Sequence, residues 1–346
     1  MSGAIVSEAP AQAGALAPIV GSPWAIARRR LLRNRVAMAM VAVLVVIVAV
    51  CLCAPLYARH VAHTDPFRSN LDGTTIMHGR RVPVMQESTS GLALGVTPIG
   101  PTWDVRHYFL GADAQGRDVA ARLLYGGRNS LLIGTAAALI TCVLATIIGL
   151  VAGFFGGIVD GVLSRLLDVV WAFPVYLLAI SLSTVLIARG ISFGPFRLES
   201  GSLLLPIAII GIVYIPYVAR PIRGEVLSLR QREFVEAAVG LGASNWRLLR
   251  SDILPNVVTT VIVLFPLMLA IDMLTEAALS FLSIGVQEPN ASWGTIILNG
   301  QDVLYTRPAV ALAPGIAIAV TVLALNVLGD GIRDALDPRA KLRRSN

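Results

Sequence analysis

Lysine is almost missing from this chain: 28 of its 346 residues are basic, and Lys341 is the single lysine among them, the rest being arginine. A Walker-type phosphate loop needs a lysine closing a glycine-rich turn, and no such turn precedes Lys341. Nucleotide chemistry is therefore expected to come from another chain. Charge as a whole is scarce, at 14% of residues against about 25% in soluble domains. Cys51, Cys53 and Cys142 each sit in an apolar run, where a thiol behaves as a small hydrophobe. Cys51 and Cys53 lack a second pair, and His60, His63, His78 and His107 show no ligand spacing, so neither a disulfide framework nor a metal site is indicated. No H-E-x-x-H, G-x-S-x-G or convincing paired-acid pattern occurs, which sets hydrolytic chemistry aside.

Apolar residues are abundant instead, at 55% of the chain. Runs of about 20, enough to cross a bilayer, lie near residues 36–57, 130–154, 162–188, 203–218, 257–281 and 309–328. The fourth is short and holds Pro206 and Pro216, which membrane helices tolerate when neighbours satisfy the freed backbone groups. The first is too long for a signal peptide and lacks a small-residue cleavage site. The expectation is an all-α integral membrane protein with six transmembrane helices.

Arginine sets the orientation. One side carries Arg28, Arg29, Arg30, Arg33 and Arg35, then Arg220, Arg223, Arg230, Arg232, Arg247 and Arg250, then Arg333, Arg339, Lys341, Arg343 and Arg344. The two short connections on the other side carry only Arg189, Arg197 and Arg307. The positive-inside bias then places both termini in the cytoplasm. Clustering beside apolar runs also turns the net charge of +7 away from nucleic acid as a partner. The chain divides into a cytoplasmic tail (1–35), a first transmembrane helix (36–58), an extracytoplasmic loop with an interfacial helix (59–128), a five-helix core (129–329) and a cytoplasmic tail (330–346).

Within the core, the polar stretch 220–256 is too patterned for disorder. It contains Glu233-Phe-Val-Glu236-Ala237-Ala238-Val-Gly-Leu-Gly242-Ala243-Ser-Asn-Trp246 and then Arg247-Leu-Leu-Arg-Ser-Asp-Ile-Leu-Pro255-Asn256. Residues 233–241 predict a short helix stopped by Gly242, a residue suited to a left-handed cap. Ser244 or Asn245 is expected to cap a second helix, in which Trp246, Leu249 and Ile253 recur at helical spacing until Pro255. Small residues at 237 and 238 let a partner approach closely.

This stretch resembles the cytoplasmic coupling loop of bacterial ABC importer permeases, E-A-A, three residues, G, nine residues, then I-x-L-P. Glu236-Ala237-Ala238, Gly242 and Leu254-Pro255 are in register, with Asp252 where the general pattern has isoleucine. Residues 110–131, Leu-Gly-Ala-Asp-Ala-Gln-Gly-Arg-Asp-Val-Ala-Ala-Arg-Leu-Leu-Tyr-Gly-Gly-Arg-Asn-Ser-Leu, are similar to a segment of the dipeptide/oligopeptide/nickel branch, with Ala112 and Ala121 replacing the usual Thr and Ser. Ala172-Phe-Pro174, residues 280–287, Ser292-Trp-Gly294 and residues 326–338 resemble that branch as well. Ser283 and Glu288 replace a usual glycine and proline, and residues 59–108 match no known pattern.

The resemblance implies a type I importer permease of the C type, without catalysis of its own, in the cytoplasmic membrane. Its implied partners are a homologous second permease, two ATPase subunits that bind ATP and Mg, an extracytoplasmic substrate-binding protein and membrane lipid. Glu233, Glu236, Ala237, Ala238, Gly242, Ala243, Trp246 and Pro255 would form the ATPase-docking loop. The implied cargo is a di- or oligopeptide, with nickel or another small solute as the alternative.

Asp272 and Glu276 stand at i,i+4 in the fifth span. Carboxylates there either line a pathway or make an interior packing contact; as proton relays they would belong to an ion-coupled secondary transporter, the rival class. Arg165 and Asp168, three apart, suit a local ion pair. Gly149, Gly153 and Gly157 form a stripe for close helix packing. Residues 115–125 suggest an interfacial helix on which Arg117 and Arg122, with Arg128 just beyond, either attract peptide carboxylates or the binding protein or, as the preferred reading, anchor to lipid headgroups.

Overall fold

The computed structural model describes residues 23–77, 79–88, 95–189, 191–193, 196–198 and 201–337. His78, Arg339, Lys341, Arg343, Arg344 and most of the two tails lie outside the described residues.

Helix α1 (Pro23–Arg33) is followed at Asn34 by α2 (Arg35–Leu52). The Asn34 side chain accepts a hydrogen bond from the Ala37 amide at 3.1 Å, the N-cap that lets a new helix start there. A short α3 (Ala54–Leu56) and a π-turn (Tyr57–Val61) follow. The polar segment after them forms two antiparallel hairpins: β1 (Thr74–Met77) pairs with β2 (Arg80–Pro83), and β3 (Met85–Glu87) with β4 (Val96–Pro98). Val84, Ile99, Tyr108 and Ala112 give this subdomain its own buried centre.

Helix α4 (Val119–Phe155) begins at Asp118, whose carboxylate accepts from the Ala121 amide at 3.1 Å. Its 37 residues reach about 55 Å at 1.5 Å per residue, more than a bilayer needs, and its first turns stand within the hairpin subdomain, where Arg122 reaches the Pro66 carbonyl. The 115–125 segment is thus a turn and the first turns of α4 rather than a separate interfacial helix.

Two spans are bent. Helices α5 (Gly157–Trp171) and α6 (Val175–Arg189) meet at 86° around Pro174, where a proline disfavours helix at the residue before it. After a hairpin of β5 (Ile191–Phe193) and β6 (Phe196–Leu198), α7 (Leu204–Val213) and α8 (Ile215–Arg230) meet at 41°. Helices α9 (Glu233–Gly240) and α10 (Asn245–Arg247) come next, then a π-turn (Leu248–Ile253) that runs directly into α11 (Leu254–Phe281). Short α12 (Trp293–Gly300) and long α13 (Ala309–Leu336) complete the chain. Among the described residues four helices are individually long and apolar enough to cross a membrane, and up to six crossings are reached when each bent pair counts as one.

Helix α4 is the central post. Lipid is as apolar as leucine, so membrane helices associate through close packing and polar contacts rather than by escaping water. A Cβ at Gly149 would come within 2.7 Å of Ile222 Cγ2, and one at Gly153 within 2.9 Å of the Arg223 carbonyl, both on α8. Thr141 of α4 donates to the Gly211 carbonyl of α7 at 2.9 Å. Gly149 and Gly153 therefore serve the packing expected of the stripe, while Gly157 stands past the end of α4 with a positive φ of 54°.

Candidate coupling site

The stretch 231–256 hangs between α8 and α11. Val235, Leu248 and Ile253 are buried with Phe154, Val226 and Val257, which anchors the loop to the inner end of the bundle. Glu233 and Glu236 occupy the first turn of α9, where the helix dipole favours negative charge. Both are exposed, as are Phe234, Ala237, Val239 and Gly242. Leu241 at 90% and Trp246 at 71% exposure are the most solvent-facing apolar groups of the loop. A cavity of about 370 Å³ between Phe154, Arg230, Glu236, Val239 and Asn245 opens beside α9.

Gly242 has φ +79°, a conformation that side-chain-bearing residues adopt at a cost. Ser244 then caps α10, its hydroxyl accepting from the Arg247 amide at 3.4 Å. The sequence therefore located the hinge and the cap. It did not foresee that Pro255 leaves the helix unbroken: a π-turn absorbs the missing N–H, so loop and span form one continuous rod.

On the same side of the bundle, α5 is tied to α8. Arg220 Nη2 donates to Asp168 Oδ1 at 2.7 Å, and its guanidinium stacks 4.5 Å over the Trp171 ring. Arg223 donates two hydrogen bonds to Asp160. The Arg165–Asp168 pair expected from local spacing does not form, because Asp168 is taken by an arginine 52 residues away.

Asp272 and Glu276 are both wholly buried. Ser130 of α4 and Ser280 donate to the two Glu276 oxygens at 2.8 and 2.7 Å. The same hydroxyls accept from the Trp293 amide (3.1 Å) and the Val286 amide (3.0 Å). Glu276 thus joins α4, α11 and the start of α12. Asp272, one turn nearer the N-terminal end of α11, has no hydrogen-bond partner on either oxygen among the described residues.

The end of the bundle that carries the hairpin subdomain is held by a second buried cluster. Arg117 Nε donates to Asp113 Oδ2 at 2.7 Å, and Arg117 Nη1 to Glu288 Oε1 at 3.0 Å. Arg122 lies 3.4 Å from the same Asp113 oxygen and donates to the Pro66 carbonyl at 3.0 Å. Turned to suit these donors, the Asn299 amide oxygen accepts from Arg117 at 3.0 Å and Arg122 at 3.3 Å. Burial favours the neutral form of Glu288, but Arg117, with Arg122 and Asn299, outweighs it and holds that carboxyl below its usual range. The lipid-anchoring reading of Arg117 and Arg122 is therefore corrected: both are buried, neutralised by acids that sequence spacing did not connect, whereas Arg128 is exposed.

Residues 145–342 match the family "Binding-protein-dependent transport system inner membrane component", and residues 22–72 match "N-terminal TM domain of oligopeptide transport permease C". The glutathione transport system permease protein GsiD of Pectobacterium atrosepticum is 38% identical over 68% of this chain and 73% of its own length. A putative peptide transport system permease protein of Brucella abortus is 41% identical over 69% and 75% of the two chains. The dipeptide transport system permease protein DppC of Alkalihalophilus pseudofirmus is 32% identical over 92% and 91%. The chain belongs to the binding-protein-dependent transport system inner membrane component family, as a multi-pass permease subunit of the cytoplasmic membrane.

Proposed function

We propose that this permease forms half of the translocation pathway of an importer for di- or oligopeptides, with a homologous permease supplying the other half. The observation that carries the reading is the exposed α9 and its glycine hinge, built on two helices that both pack on α4. In this reading Glu233, Glu236, Ala237, Ala238, Gly242, Ala243 and Trp246 dock in a groove of an ATPase subunit. In the same reading ATP and Mg bind to those ATPase subunits, and this chain supplies the pathway rather than the hydrolysis. Pro255 marks the point where motion of the loop enters α11. Closure of two ATPases would move α9 as a rigid lever and reorient α8, α11 and the helices they touch. Both termini and the loop face the cytoplasm, and an extracytoplasmic binding protein delivers cargo to the opposite side. The relatives named for glutathione, dipeptide and peptide transport support a peptide cargo.

Asp272 and Glu276 differ within this scheme. Glu276 has its hydrogen bonds filled inside the bundle and acts as a joint. Asp272 has a carboxyl free to meet a polar group when the helices reorient, and is the pathway candidate.

The test is reconstitution of the permease pair with its ATPases in proteoliposomes. Peptide uptake should require both ATP and the binding protein. Uptake by this chain without ATPases would refute the reading in favour of ion-coupled transport.

A further inference from the structure

Helix α1 is a basic segment that the coupling scheme leaves without a task. One side of it is fixed: Ala27 is buried, Leu31 reaches Gly331 of α13, and Arg30 donates to the Asp337 carbonyl at 3.0 Å. The other side is open. Trp24 is 47% and Leu32 54% exposed, and Arg28, Arg29 and Arg33 are exposed as well. At 100° per residue, Trp24, Arg28 and Leu32 fall on one arc and Arg29 and Arg33 on the next. The helix contains no acid. Among the described residues none of its arginines enters an ion pair.

Its position supplies the second observation. One residue, Asn34, separates α1 from the apolar α2, so α1 must lie where the membrane ends. Tryptophan prefers that boundary, and an arginine between apolar neighbours there, as Arg28 is between Trp24 and Leu32, lays its stem along the apolar surface and raises its guanidinium to the headgroups. We infer that α1 is an in-plane anchor that binds the anionic headgroups of the inner leaflet through Arg28, Arg29 and Arg33, with Trp24 and Leu32 inserted among the acyl chains. Charge complementarity selects this partner over neutral lipid, since each arginine near an anionic surface adds to binding while a neutral surface offers it nothing. The inference rests on the orientation proposed above, with α1 on the cytoplasmic side.

The test is hydrogen exchange of the α1 amides in the assembled transporter. It is held in nanodiscs of phosphatidylcholine alone or with about one third phosphatidylglycerol. Exchange should slow on the order of tenfold in the anionic discs. That protection should vanish at high salt and in the double variant Arg29→Gln, Arg33→Gln, in which Arg28, Arg30 and Arg35 keep the charge bias that orients α2. Equal exchange in both lipids would overturn the inference, as would protection that appears only when ATPase subunits are added. Both disc faces have the same lipid, so this readout does not depend on orientation. Protease access to the N-terminal tail in inside-out vesicles reads orientation separately.

Discussion

Gly153 of α4 lies so close to Val226 of α8 that a Cβ on the glycine would stand 2.8 Å from the valine Cβ. This contact, one turn past the similar approach of Gly149 to Ile222, holds α8, and the loop that follows it, close against the central helix.

Replacing Gly153 by valine should therefore force the two helices apart, with an overpacking cost of about 1–3 kcal/mol. Thermal unfolding of the purified transporter would show it as a lowered midpoint. An unchanged midpoint would mean that α8 and α4 are less tightly joined than their spacing indicates.

Glu276 and Asp272 should respond in opposite ways. Glu276→Leu leaves the Ser130 and Ser280 hydroxyls without their acceptor, at roughly 1–3 kcal/mol per buried group left unsatisfied. Asp272→Leu removes a buried carboxyl that has no partner, and such a change is neutral or stabilising in most surroundings. Comparing the unfolding midpoints of the two variants checks the contrast; a larger loss at 272 would contradict it.

Asp118, just outside the α4 span, gives a pH dependence. Burial pushes its carboxyl from 3.8 to about 6, against the opposing pull of the Ala121 amide. The folded state thus holds a proton that the unfolded chain releases. That contribution to stability is complete below the unfolded value of 3.8 and is lost as pH rises through about 6. Unfolding midpoints measured from pH 4 to pH 7 should fall less steeply in Asp118→Asn than in the parent. Parallel curves would show that the group titrates normally.

Local features were legible in the sequence. Gly242 and Ser244 act on their own neighbours, so their types alone located the turn and the cap, and the six apolar runs correspond to four long helices and two bent pairs among the described residues. Groups whose partners are remote were not legible. Arg122 looked like an interfacial arginine because Asp113 is nine residues away across a turn and Asn299 belongs to α12. Asp168 had an arginine within one helical turn, yet the bend at Pro174 and the packing of α5 on α8 delivered it to Arg220. The two external hairpins escaped notice because strands of three or four residues are too short to show an alternating pattern.

The central claim is that the loop around Gly242 passes force from a motor subunit into the bundle. Its most direct test is the ratio of peptide uptake to ATP hydrolysis in proteoliposomes for Gly242→Val and Glu236→Arg. A β-branched residue at φ +79° meets a strain of about 1–2 kcal/mol, and the arginine reverses the charge offered to the motor. Uptake should drop roughly tenfold while the amount of permease in the membrane stays constant. Uptake at the parental level in both variants would contradict the account.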